Sequence, residues 1–141
     1  MLAALAAAGP ALAGDPVSTR FSGQLELGGE PSGTIGFVLD EDKKRKVHSI
    51  AITDMRANCG GNAAELDFDI YGNTKVLDDR KFAVRSEDGE GAKAIVRGRF
   101  SRKFKRAKGT ARLHGKFDLG TGGGRTKCET GKQKFKATVT G

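Results

Sequence analysis

Six cationic side chains in the C-terminal third of the chain, Arg97, Arg99, Arg112, Lys116, Lys134 and Lys136, alternate with small or apolar residues at a period of two. A β-strand sends successive side chains to opposite faces, so this spacing gathers the cations on one face of a sheet. Such a face attracts polyanions: neutralising phosphates or carboxylates releases their counterions, and binding then weakens steeply with salt. The charge is concentrated. Residues 93–141 hold fifteen of the twenty-five Lys and Arg but only two acids, Asp118 and Glu129, giving +13, whereas residues 1–92 carry −5. The competing reading is a solvated surface balanced by acidic strands, with Lys guarding sheet edges. The Phe residues stand on the opposite parity, Trp is absent and Tyr71 is alone. The stacking platforms of single-strand binders are therefore missing, and no sequence-specific nucleic-acid contact is expected.

Other residue types that could do chemistry form no converging set. Cys59 and Cys128 are the only cysteines, with no C-x-x-C spacing and no His beside them, so a structural disulfide is preferred over a redox or metal pair. Closing a loop of about 70 residues would stabilise the fold by roughly 4 kcal/mol in the chain-entropy account. His48 and His114 are too few for a zinc centre, lack H-E-x-x-H, and have no evident nucleophile or acid to act with. Glu65, Asp67 and Asp69 share a strand face and Asp40-Glu-Asp42 and Asp78-Asp79 sit in turns, but without EF-hand spacing they read as solvated charge. Gly120-Thr-Gly-Gly-Gly124 lacks G-K-[ST], and no helix follows it to bind phosphate. Lys43-Lys-Arg-Lys46 beside Asp40-Glu-Asp42 reads as a charged hairpin tip. No enzyme, cofactor or metal is expected.

These residues must be positioned by strands. A chain of 141 residues fits one domain with a real core. Residues 1–13, ending in Ala11-Leu-Ala13, resemble the remnant of a secretory signal without its basic n-region. They are too short to span a membrane, and no later segment is apolar enough to do so, which leaves residues 14–141 as a single exported β domain, secreted or at the cell envelope. Beyond residue 13 period-two runs recur between turn residues. Phe21 to Leu27, Ile35 to Leu39, Lys46 to Thr53, Leu66 to Ile70, a short run to Leu77, and Phe82 with Val84 precede the two clearest strands. Those two are Ala92 to Phe100 and Ala107 to Phe117, and Phe135 to Val139 forms the last strand. The parity change between Val47 and Ile50 predicts a bulge. The expected fold is all-β, an antiparallel barrel or sandwich of eight to nine strands.

Cys59-Gly-Gly61, Arg97-Gly-Arg-Phe100, Lys108-Gly-Thr110 and Cys128-Glu-Thr-Gly131 followed by Phe135 are similar to a family of small, secreted, Gly-rich β domains of unknown function in high-GC bacteria. The resemblance spans roughly Phe21 to Val139. It implies an exported all-β domain with one disulfide and supplies no catalytic residues; Phe135 stands where Trp is expected. Two uses follow. The first is contact of the basic face with anionic envelope polymers or acidic polysaccharide. The second is a barrel carrier of a small apolar ligand, with room left inside by Ala94, Gly98, Gly109, Ala111 and Gly115.

Overall fold

The structure is a computed structural model that describes residues 17–42, 44–120 and 122–140; the signal-like segment 1–13 lies outside the described residues. Ten strands follow in order: β1 (Ser18–Leu27), β2 (Glu30–Asp40), β3 (Lys46–Cys59), β4 (Asn62–Ile70), β5 (Thr74–Lys75), β6 (Lys81–Glu87), β7 (Ala92–Phe100), β8 (Arg106–Asp118), β9 (Arg125–Glu129) and β10 (Gln133–Val139). All pairings are antiparallel and belong to one sheet, as the period-two pattern requires. The count exceeds nine by one, because β9 forms at Arg125–Glu129, where the parity pattern marks no strand; the short run expected to reach Leu77 is the two-residue β5. Among the described residues no helix is long and apolar enough to cross a membrane.

The sheet is rolled into a ring. Pairing runs β10-β1-β2-β3-β9-β8, and β8 also pairs with β10, so the hydrogen-bonded path returns on itself. From this circuit β7 and β6 continue beyond β8, while β4 and β5 flank β3. The two flanks meet where Leu77 N–H donates to Lys81 O at 2.9 Å and Thr74 Oγ1 donates to Ala83 O at 2.9 Å. Two bulges bend β3. Ser49 (φ 53°) is the extra residue opposite β2, and Asp54 (φ 55°) is the extra residue opposite β4. The first is the bulge that the Val47 to Ile50 parity change predicts.

Runs of small inward residues are flanked by large ones across the sheet. One row across the sheet reads Phe82, Gly98, Gly109, Phe135 and Leu25; the next reads Phe100, Ala107, Ala137, Gly23 and Ile35. This lets phenylalanine rings lie over bare backbone. Phe21, Phe37, Phe82, Phe100 and Phe135, from five strands, form a connected cluster with centroids 5.2–6.2 Å apart. A separate edge-on pair, Phe68 and Phe117, joins β4 to β8. Leu27 and Leu77 are exposed rather than core, the first at the β1–β2 turn and the second after β5.

Gly109 sits at a close approach of two strands: a Cβ there would stand 1.9 Å from Arg97 O. Gly109→Ala should therefore lower stability by about 2 kcal/mol or more, since backbone must move. Gly36→Ala, whose new methyl would meet only Phe21 O at 3.5 Å, should change it by less than about 1 kcal/mol; denaturant titration of both variants checks the contrast.

Cys59 and Cys128 are bonded across β3 and β9, directly opposite in register. That seam holds only one further pair, Asn58 with Glu129, so the covalent bond is its main fastening. Replacing both cysteines by Ala should cost about 4 kcal/mol, because 69 residues separate them and the unfolded chain loses that constraint. Equal denaturation midpoints for the oxidised protein and the double variant would contradict this.

Candidate anion-binding face

The register brings outward cations into rows. Lys81 on β6 lies beside Arg99 on β7, Arg99 beside Lys108 on β8, and Lys108 beside Lys136 on β10. With strands about 4.8 Å apart, this four-cation row spans ~14 Å of backbone. One step along the strands, Arg97, Thr110 and Lys134 form a parallel row that ends at Glu26 on β1. Both rows line a shallow open groove of about 770 Å³ whose floor includes Gly98 and Gly109. Arg99, Lys108 and Lys136 also border an adjoining concavity with Arg80 and Arg106, so the basic surface continues toward the β7–β8 connection.

Pairing sorts these cations from the others. Among the described residues, Arg97, Arg99, Lys108, Lys134 and Lys136 make no ion pair, while Lys81 is 3.8 Å from Asp79. Arg112, farther along β8, is clamped by both oxygens of Glu129, with Nε donating to Oε2 at 3.0 Å and Nη2 donating to Oε1. Lys116 lies beside Lys127 near the opposite end of the ring, against the Gly91 turn. Arg125 donates to Asp88 and Glu90 and to Lys116 O, which sews the β6–β7 turn to the β8–β9 loop. Of the six cations singled out by spacing, the fold therefore gathers Arg97, Arg99, Lys134 and Lys136, neutralises Arg112 and sets Lys116 apart. It adds Lys108 and Lys81. Lys108 has the same outward parity in the sequence, but only the β8–β10 pairing makes it the centre of the row.

The histidines differ. His114 is half-buried next to Glu129 in register. His48 has partners that sequence spacing did not reveal: Nε2 is 3.0 Å from Asp40 Oδ2, and Nδ1 is 2.8 Å from Ser49 Oγ. The bulge turns the neighbouring His48 and Ser49 side chains to one side, and Asp40 also accepts a 2.6 Å bond from Ser18 Oγ. Asp40 is held below its ordinary carboxylate range, by the Ser18 hydroxyl first and by His48 and Lys46 as well. The set ties the starts of β1 and β3 to the end of β2. On the acidic strand β4, Asp67 accepts the Asp54 N–H at 2.8 Å, which caps the second bulge.

The interior offers little space at the small residues. The Phe82 ring occupies the place of a side chain at Gly98, Arg97 O does so at Gly109, and Gly91 O does so at Gly115. Ala94 and Ala111 are fully packed.

The Arg112 guanidinium first, with Gly131 N–H and His114, outweighs the opposing effect of burial and brings the Glu129 carboxyl down from 4.5 to about 2. A depressed acid contributes stability that is complete above its unfolded pKa and is lost as pH falls through the folded one. Unfolding free energy should therefore decline between about pH 4.5 and 2, and Arg112→Gln should flatten that part of the profile. Equal slopes for variant and parent in acid titrations followed by circular dichroism would contradict the assignment. The pair is too exposed for a large contribution.

No protein-family model, curated protein or solved structure matches the chain.

Proposed function

We propose that this protein is a non-enzymatic β domain that holds linear anionic polymers across the outer face of β6, β7, β8 and β10. The observation that carries the reading is the row Lys81, Arg99, Lys108 and Lys136, three of whose members have no anionic partner among the described residues. Like charges directly opposite one another on neighbouring strands destabilise a sheet, and an external polyanion relieves that repulsion while releasing its own counterions. The face lacks exposed aromatics: Phe135 is buried beneath the groove, and Tyr71, 81% exposed, stands on the β4–β5 connection. This favours polymers recognised by charge, such as acidic polysaccharide or phosphate-bearing envelope polymers, over base-stacked nucleic acid.

The Cys59–Cys128 bond supports an oxidising, extracytoplasmic setting, in keeping with the signal-like start and with the likeness to secreted Gly-rich β domains. An apolar-ligand carrier is less favoured, because phenylalanine rings and close backbone fill the sites where small residues promised a cavity.

Retention on immobilised dextran sulfate across a salt gradient tests the reading. The slope of log affinity against log salt should be smaller by about 2 to 3 in Arg99→Glu/Lys108→Glu/Lys136→Glu than in the parent. Lys116→Glu, outside the groove, should keep nearly the parental slope. A triple variant retained like the parent would refute the proposed face.

A further inference from the structure

A second concentration of cations, which shares Arg80 with the concavity beside the groove, lies at the end of the ring formed by the β2–β3, β5–β6 and β7–β8 connections. There a basin of about 480 Å³ is bounded by Lys44, Arg45, Lys75, Arg80 and Arg102, with Phe104 in its wall and Asp78 as its single lining carboxylate among the described residues. Four of the cations come from three different connections and Lys75 from the end of β5, so the fold rather than local sequence brings them together.

Two of the guanidinium groups are fixed. Arg45 lies over the Phe104 ring, its central carbon 4.0 Å from the centroid. Arg80, at φ 70°, donates Nε–H to Phe100 O at 3.0 Å, and its terminal nitrogens make no bond within the described residues. Arg45 has only a distant carboxylate, Glu41 at 3.9 Å, and Asp79 is turned to Lys81. Lys44, Lys75 and Arg102 have no ion pair among the described residues. Planar guanidinium forks held in place, with flexible ammonium groups around them, match the several oxygens of a phosphate. A concave wall strengthens the field they exert.

We propose that this basin binds a compact, multiply charged phosphate group, as distinct from the extended polymer assigned to the groove. Its source is either a free oligophosphate or the phosphomonoester headgroup of a lipid, and both present the same terminal dianionic phosphate.

Calorimetric titration of the oxidised full chain with inorganic tripolyphosphate reads the site directly. One saturable site is expected, weakened about tenfold or more in Lys75→Glu/Arg102→Glu, since each charged hydrogen bond lost is worth at least that order. The groove variant Lys108→Glu/Lys136→Glu should keep it. Both pairs are exposed on the surface, and an unchanged circular-dichroism spectrum verifies that they fold. Cosedimentation with phosphatidylcholine vesicles doped with phosphatidic acid separates the sources. Vesicle binding that tripolyphosphate displaces and Lys75→Glu/Arg102→Glu abolishes identifies a lipid headgroup; tripolyphosphate binding without vesicle binding identifies a free phosphate. Absence of both interactions, or phosphate binding lost in the groove variant and kept in the basin variant, overturns the proposal. Failure of the groove reading on dextran sulfate would leave these outcomes untouched.

Discussion

The structure depends on closing a rolled antiparallel sheet with one strand that must change partners. The segment after the Gly-rich loop begins against β8 and β3 as β9 and finishes against β8 and β1 as β10. A partner change leaves backbone groups unpaired, and buried unpaired groups are expensive. Thr130 and Gln133 meet this demand at the break. Thr130 N–H donates to Leu113 O at 3.0 Å, and its Oγ1 accepts from Leu113 N–H at 2.9 Å. Gln133 sends Nε2 to Arg56 O at 2.8 Å and Thr130 O at 3.2 Å, reaching from β10 to the backbone of β3. These are the two buried polar side chains among the described residues, and both lie at this crossing. The price is Oε1 of Gln133, buried with no partner among the described residues. Cys59 and Cys128 fasten the same junction on its β3 side.

Closure determines the surface because strand period leaves no freedom. Once Phe135 and Ala137 face inward, Lys134 and Lys136 must face outward, Lys136 beside Lys108. The packing that fills the interior is thus the packing that crowds the cations. Toward the opposite end of the ring the same strands are neutralised by Glu129 on Arg112, Asp88 and Glu90 on Arg125, and Glu87 near Lys93. Lys116 opposite Lys127 is an unpaired exception at that end, and the longest run of unpaired cations lies where β6, β7, β8 and β10 run side by side.

Much of the fold was legible in residue parity. Ala92 to Phe100 and Ala107 to Phe117 bury the residues their alternation selects, and the Val47 to Ile50 break in parity becomes the Ser49 bulge. Register was not legible, because pairing between strands distant in sequence is a tertiary choice that no local pattern encodes. That is why Arg112 looked equivalent to Arg97 until β9 laid Glu129 beside it, and why Lys108 and Lys81 joined the row unannounced. The second bulge at Asp54 left a weaker trace: Met55 is buried on the opposite parity from Ile52, yet a lone Met in a polar stretch gives no run to break. The His48, Asp40 and Ser49 contacts needed both the bulge and the β2–β3 register, so neither residue spacing nor composition could suggest them.

The unpaired row is informative because of its length: Lys46 opposite Lys75 and Lys116 opposite Lys127 are also like-charged neighbours without an ion pair among the described residues, but each is a single pair. Cross-strand repulsion between Arg99, Lys108 and Lys136 costs on the order of a few tenths of a kcal/mol per contact, screened at the surface but not abolished. Substituting Thr or Gln, as Thr110 and Gln24 already stand in neighbouring positions, would remove it without disturbing the core. Solubility alone does not require this arrangement, since interspersed signs serve that purpose equally well. A surface that retains avoidable repulsion at its most crowded point, over a sheet whose interior is packed with phenylalanine, is better explained by what approaches from outside than by what the fold needs for itself.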